Sequence, residues 1–84
     1  MLVKEKSLYA IHTGDYAGQI FAFISKDEES YNFLAMPGME NIKVPVKDLT
    51  EGLEKEIIKF VETPPDDVFE VIEAQYKKNE NTND

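Results

Sequence analysis

The run Gln19-Ile20-Phe21-Ala22-Phe23-Ile24-Ser25 decides the fold. Its aromatic and β-branched residues favour a strand. Apolar side chains fall on both faces of that strand, so other parts of the chain must cover both. Before it, Gly14-Asp15-Tyr16-Ala17-Gly18 is a short polar turn between glycines, preceded by a strand-like run at 8–13. After it, Lys26-Asp27-Glu28-Glu29-Ser30 reads as a charged hairpin tip. Residues 31–36 read as a third strand, closed by Pro37-Gly38. A fourth spans 42–46, with Ile42, Val44 and Val46 on one face and Lys43, Pro45 and Lys47 on the other. Pro45 has no ladder donor, which places this strand at an edge. Outward lysines there discourage edge-to-edge pairing.

Beyond residue 47 the spacing becomes helical. Leu49, Leu53, Ile57 and Phe60/Val61 form one apolar stripe, which predicts a helix over 48–62. Asp48 followed by Glu51 has capping-box spacing, while Gly52 weakens the first turn. Thr63-Pro64-Pro65-Asp66 ends this helix and opens another over 64–78. Thr63 suits the cap, Pro64 the first helical position, and Asp66 and Asp67 the positive end of the dipole. Val68, Phe69, Ile72 and Tyr76 supply its stripe, and Lys77 and Lys78 sit at the negative end. Residues 79–84 are expected to form a disordered tail. Strands followed by helices read as α+β, with a single domain over 1–78, strands at about 7–47 and two helices after them.

The chain has 84 residues, too few for two domains of ordinary size. It is 42% hydrophobic and 31% charged, a globular composition. The absence of Cys excludes disulfides, thiolate metal sites and Cys nucleophiles. No apolar run approaches the roughly 18 residues of a membrane span, and the first residues have no signal-like apolar core. Nine Lys and no Arg face seventeen acids, giving a net charge of -8. That sign, and the lack of Arg for bidentate contacts, disfavour nucleic acid as a partner. Residues 49–84 carry four Lys and ten acids, so the acidity lies mainly in the C-terminal part. A small cytoplasmic module is the expectation.

Catalytic constellations are missing. His12 is the sole His, and a lone His beside a strand is usually structural. Asp15 lies across the turn and could bond to it, but no second His or ligand cluster completes a metal site. Asp27, Glu28 and Glu29 lack the calcium-loop pattern, and Gly14 and Gly18 lack the rest of a phosphate loop. The expectation is therefore no enzyme, no metal and no cofactor. Binding has more support. Tyr16, Tyr31 and Phe33 lie beside turns, Met36 and Met39 flank Pro37-Gly38, and His12 adjoins the first turn. Rigid rings and adaptable methionines make good partner anchors. The plainer reading puts Phe21, Phe23, Phe33 and Tyr9 inside the fold and the methionines over its end, leaving Tyr16 open between the two. Glu51, Glu54, Glu62, Asp66, Asp67, Glu70 and Glu73 form an acidic face that is a solvated surface, or one that meets a basic partner or imitates nucleic acid.

Gly14-Asp15-Tyr16-Ala17-Gly18-Gln19-Ile20 resembles the opening of a KOW-type or other SH3-like small barrel. Ile42-Lys43-Val44-Pro45-Val46-Lys47-Asp48-Leu49 resembles the closing strand of such barrels running into a helix. The resemblance implies a small SH3-like antiparallel β-barrel of four to five strands followed by two C-terminal α-helices. Phe21 stands where the KOW pattern has another Gly, and the acidic charge departs from basic relatives, so RNA binding is not implied. In length and charge the chain is also similar to small accessory proteins of tailed bacteriophages. The expected function is a non-catalytic protein-interaction module; the phage-type resemblance implies an accessory protein that modulates a host protein. The alternatives are an acidic nucleic-acid mimic, or a weak single-stranded nucleic-acid binder using the barrel aromatics. Oligomeric state stays open.

Overall fold

The aromatic and β-branched runs form strands close to where their composition places them. The computed structural model describes residues 3–81. Among these, β1 (Leu8–Ile11), β2 (Ile20–Lys26), β3 (Ser30–Met36) and β4 (Glu40–Pro45) are followed by α1 (Val46–Glu54), β5 (Ile58–Glu62) and α2 (Asp66–Glu80). The strands make one antiparallel sheet in the order β4-β3-β2-β1-β5.

The sheet is open, so the SH3-like barrel implied by the KOW-type resemblance does not form. β4 and β5 are its two edges and do not pair with each other. The reason lies at Pro45, where β4 ends and the chain turns directly into α1. α1 packs against β3, β4 and β5, and so fills the place where a closing strand pair would lie. The fold is an open five-stranded sheet with two helices.

Register settles which residues share a face. Tyr9 pairs with Phe21, Phe21 with Ala35, Phe23 with Phe33, and Phe33 with Ile42. Tyr9, Phe21, Phe23, Phe33 and Ala35, with Ile11, Tyr31, Leu49 and Ile58, form one buried cluster, against which the partly buried Ile42 packs. Rings pack edge-on or tilted within it, with centroids 5.5 Å apart for Phe21–Phe33 and for Phe23–Tyr31. Leu49 on α1 is fully buried against this cluster. Ala22 and Leu34 point the other way and are also fully buried. Asn41, paired with Leu34 and on its face, donates to the Tyr76 carbonyl of α2 at 3.1 Å. The helices therefore cover opposite faces of the sheet. Thus β2 is buried on both sides, as its continuous apolar run requires.

Helix boundaries differ from the sequence reading. The helix predicted over 48–62 ends at Glu54, and residues 58–62 are strand. The Ile57 N–H donates to the Gly52 carbonyl at 2.8 Å and the Glu56 N–H to the Leu53 carbonyl at 3.2 Å. This pair of bonds is a Schellman motif, with Glu56 in the left-handed position at φ 60. Glycine is the usual residue there, so the stop carries no ordinary sequence mark. At the helix start, Asp48 forms no side-chain cap, because the helix begins at Val46 after Pro45. Thr63 does not cap α2 either; its Oγ1 lies 2.8 Å from the Oγ of buried Ser7. α2 begins after Pro65 and runs to Glu80, through part of the tail expected at 79–84. Residues 82–84 of that tail lie outside the described residues.

Candidate functional site

The Gly14–Gly18 turn is held by its own backbone. Both glycines have positive φ, 90 and 87, which they adopt without a Cβ penalty. Ala17 N–H donates to the Gly14 carbonyl at 3.1 Å, and Gly18 N–H to the Ile11 carbonyl at 2.8 Å. Tyr16 is thereby fixed over the end of the sheet, half-buried, with its ring edge-on to Phe21 at 5.4 Å. Opposite it stand Asp48, Glu51 and Gly52 of α1, and behind them Ile57 and Ile58 after the Schellman turn. Between these walls is a groove of about 220 Å³. Ile11, Phe21, Val44, Ile57 and Ile58 give it an apolar floor, and Asp15, Asp48 and Glu51 place carboxylates on its rim. Glu51 is 3.5 Å from Lys55 Nζ. Asp15 and Asp48 form no ion pair among the described residues.

The walls meet tightly at one point. A Cβ on Gly52 would come within 2.7 Å of Ile58 Cδ1. Gly52 lets α1 approach β5, and the His12 N–H ties the Ile57 carbonyl back to β1 at 2.8 Å. The groove is therefore framed by backbone bonds as well as by packing.

A second concavity, of about 360 Å³, lies between α2 and the other face of the sheet. Lys43 donates to Asp27 at 2.9 Å, and buried Asn32 donates to Asp27 at 3.3 Å and to Ser25 at 3.0 Å. These donors hold the Asp27 carboxyl below its usual range, the Lys43 hydrogen bond contributing most. Asp27 in turn raises Lys43. Burial raises the Tyr76 phenol, with the charge of Glu80 adding to it. The Asp27, Lys43, Asn32 and Ser25 bonds lie on the sheet side and satisfy one another, while Asn41 to the Tyr76 carbonyl and Asn79 to the Met39 carbonyl tie α2 to it.

The residues singled out as partner anchors do not form one surface. Tyr31 and Phe33 are core residues, 2% and 1% exposed, and cannot act as exposed anchors. Their alternation puts them beside Phe23 and Phe21, although both follow a turn in the sequence. Met36 is half-buried at the end of β3, and Met39 is exposed in the β3–β4 turn at φ 55. His12 is exposed, and no hydrogen bond or ion pair to Asp15 occurs among the described residues. Tyr16 alone of the six lines the groove. The acidic face is also divided: Glu51 and Glu54 are on α1, Glu62 on β5, and Asp66, Asp67, Glu70 and Glu73 on α2. Among the described residues no three His, Cys, Asp or Glu come together to hold a metal ion, and no helix is long and apolar enough to cross a membrane. Ile57 and Ile58 escaped the sequence reading because they were placed inside a helix; the β-branched run Ile57-Ile58 before Phe60-Val61 was the available signal.

Neither a scan against protein-family models nor comparison with curated proteins and with solved structures finds a match to this chain.

Proposed function

We propose that this protein is a non-catalytic protein-interaction module that seats part of a partner in the groove beside Tyr16. The observation that carries the reading is the groove itself: an apolar floor, a half-buried tyrosine and a frame of backbone bonds. Its volume of about 220 Å³ is below the 300–1,000 Å³ common for small-molecule and cofactor sites. That size suits a side chain presented by a larger partner. The nucleic-acid alternatives have less support. The acids that would imitate phosphates are divided among β5 and two helices on opposite faces of the sheet. The rings that would stack on bases, Phe21, Phe23, Tyr31 and Phe33, are buried.

The test is capture of partners by the tagged chain, compared with Tyr16→Ala and with Val71→Ser on the exposed side of α2. A partner retained by wild type and Val71→Ser but lost by Tyr16→Ala supports the reading. Retention by Tyr16→Ala contradicts it. Glu51→Lys, an exposed substitution on the rim, serves if Tyr16→Ala disturbs the fold by circular dichroism.

A further inference from the structure

Resting on the interaction reading above, we infer that the Tyr16 groove receives one lysine or arginine side chain from a basic segment of the partner. The two halves of the groove point to the two halves of such a side chain. Ile11, Phe21, Val44 and Ile58 offer an apolar bed for a methylene stem, and the rim offers carboxylates for its charged head. Long cationic side chains divide between apolar and polar surroundings in this way.

The charge balance at the groove is one-sided. Asp15, Asp48 and Glu51 line it, and among the described residues no Lys or His does. Lys55 answers Glu51 alone, at 3.5 Å. An anionic or phosphate-bearing guest would meet repulsion from all three carboxylates. A metal ion is a poor fit, because these carboxylates do not gather into a metal-sized cluster. An organic cation needs no such convergence, and an aromatic ring, Tyr16, is among the residues that line the groove. A net charge of -8 also steers basic segments toward the protein.

The experiment is a two-dimensional NMR titration of the ¹⁵N-labelled chain at low ionic strength. The probes are acetyl-Gly-Lys-Gly-amide, acetyl-Gly-Arg-Gly-amide and the uncharged norleucine analogue. The inference predicts saturable shifts at the amides of Tyr16, Gly52 and Ile57 with the lysine or the arginine peptide. The norleucine peptide binds several-fold more weakly. Asp48→Asn, an exposed change that leaves the remaining spectrum in place, weakens the cationic peptide roughly threefold, the size expected of an exposed ion pair. Equal response to norleucine overturns the cation, while the interaction reading then stands or falls on Tyr16→Ala capture. Shifts confined to Asp66, Asp67, Glu70 and Glu73, or no groove shifts with any probe, also overturn the inference.

Discussion

α1 has nine residues and α2 has fifteen, yet the shorter helix is the more firmly seated. α1 lies on the face built from Phe21, Phe23, Tyr31 and Phe33, and its Leu49 is fully buried there. α2 lies on the face of Ala22 and Leu34 and buries one residue, Phe69. Beyond the half-buried Ile72 and Tyr76 it is attached by polar bonds, including Asn79 Nδ2 to the Met39 carbonyl at 2.8 Å. Its Val68 and Val71 stay 45% and 71% exposed. Side-chain volume on the sheet face, more than helix length, decides how firmly a helix is held, since burial free energy follows apolar area. The groove sits on the firmly held side, so its walls are preformed.

The largest expected effect contrasts the two helices directly. Leu49→Ala should cost about 3 kcal/mol, within the 2–5 kcal/mol of fully buried leucines, and unfold the chain in one transition. Phe69→Ala should cost less than the roughly 3–5 kcal/mol of a core phenylalanine, because α2 can detach locally. Urea denaturation followed by helical circular dichroism and by tyrosine fluorescence checks both. In Phe69→Ala the helical signal should fall first; coincident transitions with equal losses would break the comparison.

Gly52→Ala comes next. Helix propensity favours Ala by about 1 kcal/mol, but the added Cβ meets Ile58 at 2.7 Å and overpacking costs about 1–3 kcal/mol. The net expectation is a loss of about 1 kcal/mol, read as a lower urea midpoint, and a higher midpoint would mean that the α1–β5 contact is loose. Glu56→Gly should do the opposite. It relieves a left-handed residue at φ 60, for a gain of about 0.5–1 kcal/mol, and the exposed Lys59 ion pair it removes at 3.2 Å is worth little. An unchanged melting temperature would contradict the strain.

The smallest effect lies on the α2 side. Asp27 is depressed by Lys43 and Asn32, so its contribution is present above the ordinary value of 3.8 and lost as pH falls through its lower folded value. Lys43 is raised, so its share is present below 10.5 and lost as pH rises through its higher folded value. Carboxyl NMR should place the Asp27 midpoint below 3.8 in wild type and closer to it in Lys43→Met.

Four strands were legible because alternation, turn residues and a doubly apolar run all pointed the same way. Pro45 correctly marked β4 as an edge. β5 was not legible, because Leu49, Leu53, Ile57 and Phe60/Val61 keep helical spacing across a stop made at Glu56. That one misreading also concealed part of the groove floor, since Ile57 and Ile58 reach it only once the helix has ended. The turn left Tyr16 open between core and surface and the structure has it half-buried beside the groove, whereas Tyr31 and Phe33 are core residues because proximity to a turn says nothing about which face a strand residue takes. Failure of the sheet to close depends on α1 standing between β4 and β5, a long-range placement no local pattern encodes.

Native-state amide hydrogen exchange decides whether a preformed groove stands on the rigid side of the sheet. The amides of Ile11, His12 and Ile57, which frame the groove through bonds of 3.0, 2.8 and 2.8 Å, should exchange only with global unfolding. Amides in the middle of α2 should exchange through a smaller opening. If the groove amides open as easily as those of α2, the groove is not preformed and the two faces hold their helices alike.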